Sequence, residues 1–235
     1  MSTPPAGISL TRELIDDLGA QIAGGHVAPG TILSMDALAQ QRGISRPVVR
    51  EAIGVLAAMG LVESKRRRGS MVRSPSDWNW FDPKVITWRL DDPQTRASQF
   101  RALVELRTAI EPAAASQAAM RRTEEAAAEL VGIAGQIFAS GRRGDLDLFL
   151  QNDLRFHRLL LAASANQMFA HLGEVVGVIL QGKHRLGLVP HFPNRVALDN
   201  HVDLAYAIQH SDAERAHDIC IAIVRQSAEE LEMGH

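Results

Sequence analysis

Apolar residues recur along the chain at helical spacing, in blocks divided by glycine, proline and short polar caps. Leu14, Ile15, Leu18 and Ile22 share one face of a helix over residues 10–24, which Gly24-Gly25 ends. Ser34 is placed to cap a short helix from Met35 to Arg42, with Leu38 and Ala39 turned inward. Gly43 then makes a tight turn into a helix whose apolar face is Val48, Val49, Ala52, Ile53, Leu56 and Ala57, ending at Gly60. Ser45 stands at its N-cap, where a hydroxyl can accept from first-turn amides. Pro47 lies in that first turn, where a missing N–H costs nothing. Helix, glycine turn, helix is the helix-turn-helix pattern. Leu61 to Arg73 follows as two β-prone segments around a basic tip, Lys65-Arg66-Arg67-Arg68, closed by Gly69. That is a hairpin, and a hairpin after the second helix is the wing of a winged helix.

Residues 76–93 form a junction. Trp78-Asn79-Trp80-Phe81-Asp82-Pro83 is aromatic and turn-rich, and Lys84 to Trp88 reads as a short helix. Aromatics in such a stretch glue two domains together more often than they bind a ligand. From residue 94 onward the pattern is helical throughout. Thr123, Asp145 and Asn166 stand as caps, Pro112 is placed to kink the first helix, and Gly187 to Asn194 is an irregular loop. Six helices with short connections predict an all-α bundle. The fold class expected is mainly α: a winged helix-turn-helix over residues 1–75, the junction, and a helical bundle over 94–235.

Charge divides the chain in the same place. Residues 1–75 carry nine Lys/Arg against six Asp/Glu, whereas the rest is acidic, with sixteen against twenty-one. A basic front half and an acidic rear half imply that only the first meets a polyanion. The single cysteine, Cys220, allows no internal disulfide and fits a reducing compartment. No stretch has the length and apolarity of a membrane span, and residues 1–7 lack an apolar signal core, so a cytoplasmic protein without a membrane partner is expected.

Arg46 and Arg50 are four apart and leave one side of the second helix near its N-terminus, the end that meets base edges in helix-turn-helix proteins. Arginine pairs bidentately with guanine or clamps phosphate. The alternative for this helix is an ordinary solvated charged face. Lys65, Arg66, Arg67 and Arg68 repel one another unless a polyanion is near, so phosphate contact is the natural reading and a solvated turn the alternative.

On these residues the first part of the chain, 8–75, resembles the winged helix of the GntR superfamily of bacterial transcription regulators. The matching positions are Gly30, Leu38, Ser45-Arg46-Pro47-Val48-Val49-Arg50-Glu51-Ala52, Leu56, Gly60-Leu61-Val62 and Gly69. Many relatives carry an arginine two residues after the cap of the short helix, where this chain has Asp36. The resemblance implies a homodimer on double-stranded operator DNA, contacted through Ser45, Arg46, Arg50, Lys65, Arg66, Arg67, Arg68 and Gly69. It also implies, as the default sign of control, a repressor.

In the rear half, Asp153 and His157 are four apart and share a helix face, and His201 lies on a later helix. A carboxylate and two imidazoles inside a bundle make a candidate site for Zn²⁺, Ni²⁺ or Mn²⁺; an Asp/His pair at this spacing is otherwise a plain surface hydrogen bond. Residues 94–235 resemble the FCD ligand-binding domain of the FadR-like branch, through Glu105-Leu106-Arg107 with Glu111, Asp153 with Phe156-His157, Asn166, and His201 with Ala207-Ile208 and Asp212. In that family an aspartate and three histidines hold a metal under the effector. Asp153, His157 and His201 match three of those positions, and Ile223 falls where the fourth ligand is expected. The set is therefore incomplete, and a metal-free polar pocket stays open as an alternative.

Arg107 sits among apolar neighbours and needs an anionic partner. Glu111 at i+4 is one candidate, and the carboxylate of an effector is the other, the one the resemblance implies. The aromatic junction is similar to that of a sub-group answering to sugar acids such as galactonate. Effector contacts are thus expected at Arg107, Asp153, His157 and His201. His26, His171, His184, His191 and His235 read as surface or loop residues, with His184-Arg185 a candidate lining of the pocket mouth. Three ligands with an open position also suit a metal-dependent hydrolase or lyase with Arg107 as substrate clamp.

Overall fold

The computed structural model describes the backbone of residues 6–65 and 69–233 and the side chains of residues 10–65 and 69–229. The chain divides into two compact units, Met1–Ala97 and Ser98–His235. Residues 76–93 lie with the first.

The first unit begins with α1 (Ala6–Ala23), β1 (Ile32–Leu33), α2 (Met35–Arg42) and α3 (Arg46–Ala58). Strands β2 (Val62–Lys65) and β3 (Gly69–Val72) follow, then a 3₁₀ turn over Pro75–Asp77 and α4 (Pro83–Asp91). The hairpin runs antiparallel from Val62 opposite Val72 to Lys65 opposite Gly69. A third strand joins it: β1 pairs with β3, so the order is β1-β3-β2. Two residues are too short to show a period, which is why the sequence pattern misses β1. Gly69 is the residue that lets it pair. Its φ is +99°, and a Cβ there would sit 2.5 Å from the Leu33 carbonyl oxygen.

Leu14, Leu18 and Ile22 of α1 meet Val49, Ala52, Ile53 and Leu56 of α3 in one buried cluster. Gly43 ends α2 in the left-handed region (φ 63°), the turn expected between the two helices. Ser34 caps α2 by accepting from the Ala37 amide at 3.3 Å. Ser45 takes the N-cap position of α3, but its hydroxyl makes no capping bond. Pro47, at the second helical position, has no amide to offer it.

The tryptophans correct the expectation of an inter-domain glue. Trp78 and Trp88 are buried in the core of the first unit itself. Trp88 lies over Gly19 of α1, where a Cβ would collide with its ring. Trp80 is exposed; its indole donates to the Pro75 carbonyl at 2.9 Å, and the Arg89 guanidinium stacks 4.8 Å from its centroid.

The second unit is helical: α5 (Arg96–Arg121), α6 (Glu124–Arg143), α7 (Leu146–Ala163), α8 (Gln167–His171), α9 (Gly173–Arg185), α10 (Arg195–Gln209) and α11 (Ala213–Met233). Thr123, Asp145, Asn166 and Asn194 each cap by accepting from a first-turn amide. α5 runs unbroken through Pro112. Among the described residues the six helices expected are seven, because the helix starting at Asn166 breaks at Leu172. Its amide turns back to Phe169 and Ala170, and Gly173 begins a new helix. Apolar residues keep helical spacing across the break, so periodicity alone does not reveal it. α6 packs on α7 and α10, α7 on α9, and α10 on α11. Leu130, Ile133, Ile137, Phe156, Leu160, Leu204, Ile208 and Cys220 fill the space between them.

Candidate functional site

In the first unit, α3 presents its N-terminal turn to solvent. Arg46 and Arg50 are both exposed there. Arg46 Nε lies 2.7 Å from Asp36 Oδ1 in an ion pair, so the residue standing in place of the expected arginine pairs with a neighbouring one. Both side chains are about two-thirds exposed (69% and 67%), and such a pair contributes only about 0–1 kcal/mol. Lys65 at the start of the wing tip pairs with Glu63 at 2.6 Å. Gly69 closes the tip against β1 as described. Arg66, Arg67 and Arg68 lie outside the described residues.

The second unit holds a buried polar cluster. On α7, the i, i+4 spacing puts Asp153 and His157 on one inward face, and α10 brings His201 against them. One ligand atom from each lies within 4.8 Å of the others, and all three residues are buried. Asp153 Oδ1 is 3.4 Å from His157 Nε2 and 3.2 Å from His201 Nε2. Phe156 sets its ring edge-to-face against both imidazoles, at 5.8 and 5.3 Å between centroids, and dries that side of the cluster.

Proton placement decides what the cluster can do. His201 Nδ1 lies 2.7 Å from the Ala197 carbonyl oxygen, which only accepts, so Nδ1 carries a proton. In a neutral ring Nε2 is then a bare lone pair, facing the Asp153 carboxylate with no hydrogen bond to make. His157 Nδ1 lies 2.7 Å from Glu111 Oε2, close enough for an ion pair though off the line of a hydrogen bond. That again leaves Nε2 turned toward Asp153. Two imidazole lone pairs and a carboxylate oxygen converging in a buried space are compatible with a metal ion, which would satisfy all three.

Without a cation the balance must come from protons. Burial opposes a charged His157, but Glu111 and Asp153 outweigh it and raise its pKa to about 9. Burial likewise opposes the Glu111 carboxylate, yet Arg107 and His157 hold it down at about 2. Asp153 is pushed far below the ordinary carboxylate range by the two histidines, against the cost of burial.

Arg107 is 1% exposed on α5. Its Nε and Nη2 both donate to the Glu111 carboxylate, the second at 3.3 Å, and Nη1 donates to Ser227 Oγ at 3.4 Å. Glu111 thus holds the guanidinium, while Arg107 also lines a cavity shared with Asp153, His157 and His201. Pairing with Glu111 leaves Arg107 in the cavity wall.

Phe149, Leu150, Leu180, Val189 and Pro193 supply apolar walls. Ile223 lines the cavity as well and offers no ligand atom. Pattern reading missed Lys183 and Ser227. Lys183 is 4% exposed, and its ammonium donates to the Ser227 carbonyl and hydroxyl oxygens at 3.1 and 2.8 Å. A lysine inside the apolar face of α9 was the available signal. His184, a candidate for the pocket mouth, lines the cavity and lies 3.2 Å from Asp147.

Comparisons with known proteins cover both units. A family model described as "FCD domain" matches residues 102–226, and one described as "Bacterial regulatory proteins, gntR family" matches residues 10–72. The chain is 28% identical over 231 residues to the galactonate operon transcriptional repressor of Escherichia coli, covering 95% of this chain and 97% of that protein. It is 34% identical over 164 residues to the transcriptional regulator LutR of Bacillus subtilis, covering 68% and 70%. Among solved structures it is similar in fold to Lar, which controls expression of the Listeria monocytogenes agr system. That match has a TM-score of 0.62 and 16% identity, and covers 98% of each chain. No helix among the described residues is long and apolar enough to cross a membrane.

Proposed function

Because the chain belongs to the bacterial GntR family of DNA-binding transcription regulators, with an FCD domain behind its DNA-binding region, we propose that it is a repressor released from its operator by a small hydroxy-carboxylate. It is a regulator and not the hydrolase or lyase that three ligands with an open position also suggest. The observation that carries the effector reading is the meeting of Asp153, His157, His201 and Arg107 in the wall of one cavity. Zn²⁺, Ni²⁺ or Mn²⁺ would be held by the first three. A bound cation would supply a Lewis-acidic centre for the effector's carboxylate and hydroxyl oxygens. Arg107 would take a carboxylate oxygen with the donors not engaged by Glu111. A sugar acid suits this chemistry, and the similarity to a galactonate operon repressor runs in the same direction.

On DNA, two copies of the chain related by a two-fold axis would read a palindromic operator. The N-terminal turn of α3, with Ser45, Arg46 and Arg50, would enter the major groove. Lys65 to Arg68 and Gly69 would approach the adjacent backbone. The effector acts by binding one arrangement of the protein better than the other, which necessarily shifts DNA affinity.

The test is fluorescence anisotropy of a labelled promoter duplex with the metal-loaded protein, across a panel of sugar acids, before and after chelation. Release of DNA by one of the acids, lost on chelation, is expected. Release that persists without metal would leave the cavity a metal-free polar pocket. No shift in melting temperature and no release with any acid would remove the effector role.

A further inference from the structure

Glu111 is fully buried, yet it does not line the cavity; it lies behind two residues that do. Oε1 accepts from Arg107 Nε, and Oε2 accepts from Arg107 Nη2 at 3.3 Å. The same Oε2 faces His157 Nδ1 at 2.7 Å. One carboxylate therefore serves both the candidate effector clamp and a candidate metal ligand. Neither oxygen reaches the point where Asp153, His157 and His201 converge, so Glu111 is outside that ligand group.

We propose that Glu111 is a positioning residue for the metal site: held by Arg107, it fixes His157 with Nδ1 protonated and Nε2 turned to the cation. The reasoning is electrostatic and geometric. An imidazole presents one lone pair only if its other nitrogen holds the proton, and a carboxylate beside Nδ1 selects that form. Two hydrogen bonds from Arg107 hold that carboxylate in place beside the ring. Arg107 thereby sets metal affinity without touching the metal. This inference rests on the triad holding a cation, as proposed above.

The experiment is competition for Zn²⁺ between a chromogenic chelator and the full-length protein, as wild type, Glu111→Gln, Ser227→Ala and His201→Ala. Glu111→Gln should weaken Zn²⁺ binding about 10- to 100-fold, the range for outer-shell partners of ligating histidines. Ser227→Ala, which removes an Arg107 contact but none of His157, should bind Zn²⁺ as wild type does. Promoter affinity without effector should be unchanged in both. Should Glu111→Gln not fold, ¹⁵N imidazole spectra of the Zn²⁺-loaded wild type answer the same question: His157 must carry its proton on Nδ1. Wild-type Zn²⁺ affinity in Glu111→Gln, or a proton on His157 Nε2, overturns the inference while leaving the triad intact. Equal Zn²⁺ affinity in wild type and His201→Ala overturns the metal site itself, and this inference with it.

Discussion

At the scale of single residues, Arg107 holds Glu111 and is also the proposed effector clamp, and truncation does not separate the two. Truncating it to alanine strands the buried Glu111 carboxylate, a loss of about 3–5 kcal/mol of stability. Arg107→Lys keeps the charge and removes the planar fork. Effector binding should fall by about 1.5–3 kcal/mol in that variant, with promoter affinity unchanged when no effector is present. Calorimetric titration of the effector beside a DNA-binding curve checks both halves.

His157 sets the pH dependence. Its pKa rises from 6.5 in the unfolded chain to about 9 in the metal-free fold. A raised pKa stabilises the fold fully below pH 6.5, and that contribution is lost as pH climbs through 9. Glu111 runs the opposite way: its pKa drops from 4.5 to about 2, so its contribution is present above pH 4.5 and lost as pH falls through 2. Metal binding needs His157 neutral and competes with its proton. Zn²⁺ affinity should therefore climb with pH until about 9 and level off beyond, whereas the metal-free protein loses stability over the same span. Thermal melts with and without chelator at several pH values read both trends.

Among secondary-structure elements, what the sequence makes legible depends on how each element declares itself. α3 and the hairpin declare themselves through Gly43, Pro47, Gly69 and an apolar face, and the fold places them accordingly. β1 is two residues long and α8–α9 breaks in step with its period, so neither shows in the pattern. Asp153 and His157 are legible from spacing, because i and i+4 share a face. Their meeting with His201 needed the resemblance, since no spacing rule links different helices. Lys183 was hidden among apolar neighbours, and Trp78 and Trp88 belong to one core rather than to a seam between two.

The packing of α1 on α4 gives a sharp test at this scale. Gly19 abuts the Trp88 ring, so Gly19→Ala should overpack the contact and cost about 1–3 kcal/mol. Chemical denaturation of the wild type and the variant measures it. A neutral result would mean that Trp88 can move aside freely. On α3, Arg50→Ala should weaken promoter binding. If Arg50 meets phosphate, the loss is uniform across sequences and the salt slope falls by about one. If it reads a base, about 1–3 kcal/mol of discrimination vanishes at one operator position.

For the whole molecule, a basic front unit is joined to an acidic helical unit proposed to sense a small anion. Members of a shared family fix the first role for this chain, and the buried cluster motivates the second. A two-fold dimer predicts protection of two half-sites one helical turn apart, or a multiple of it, in a footprint of the promoter. The most direct test of the link is anisotropy of a labelled promoter duplex while galactonate and related sugar acids are titrated into metal-loaded wild type and His201→Ala. One acid is expected to release DNA from the wild type, and the same acid to leave the variant bound. Equal release from both proteins, or release from neither by any acid, would contradict that link.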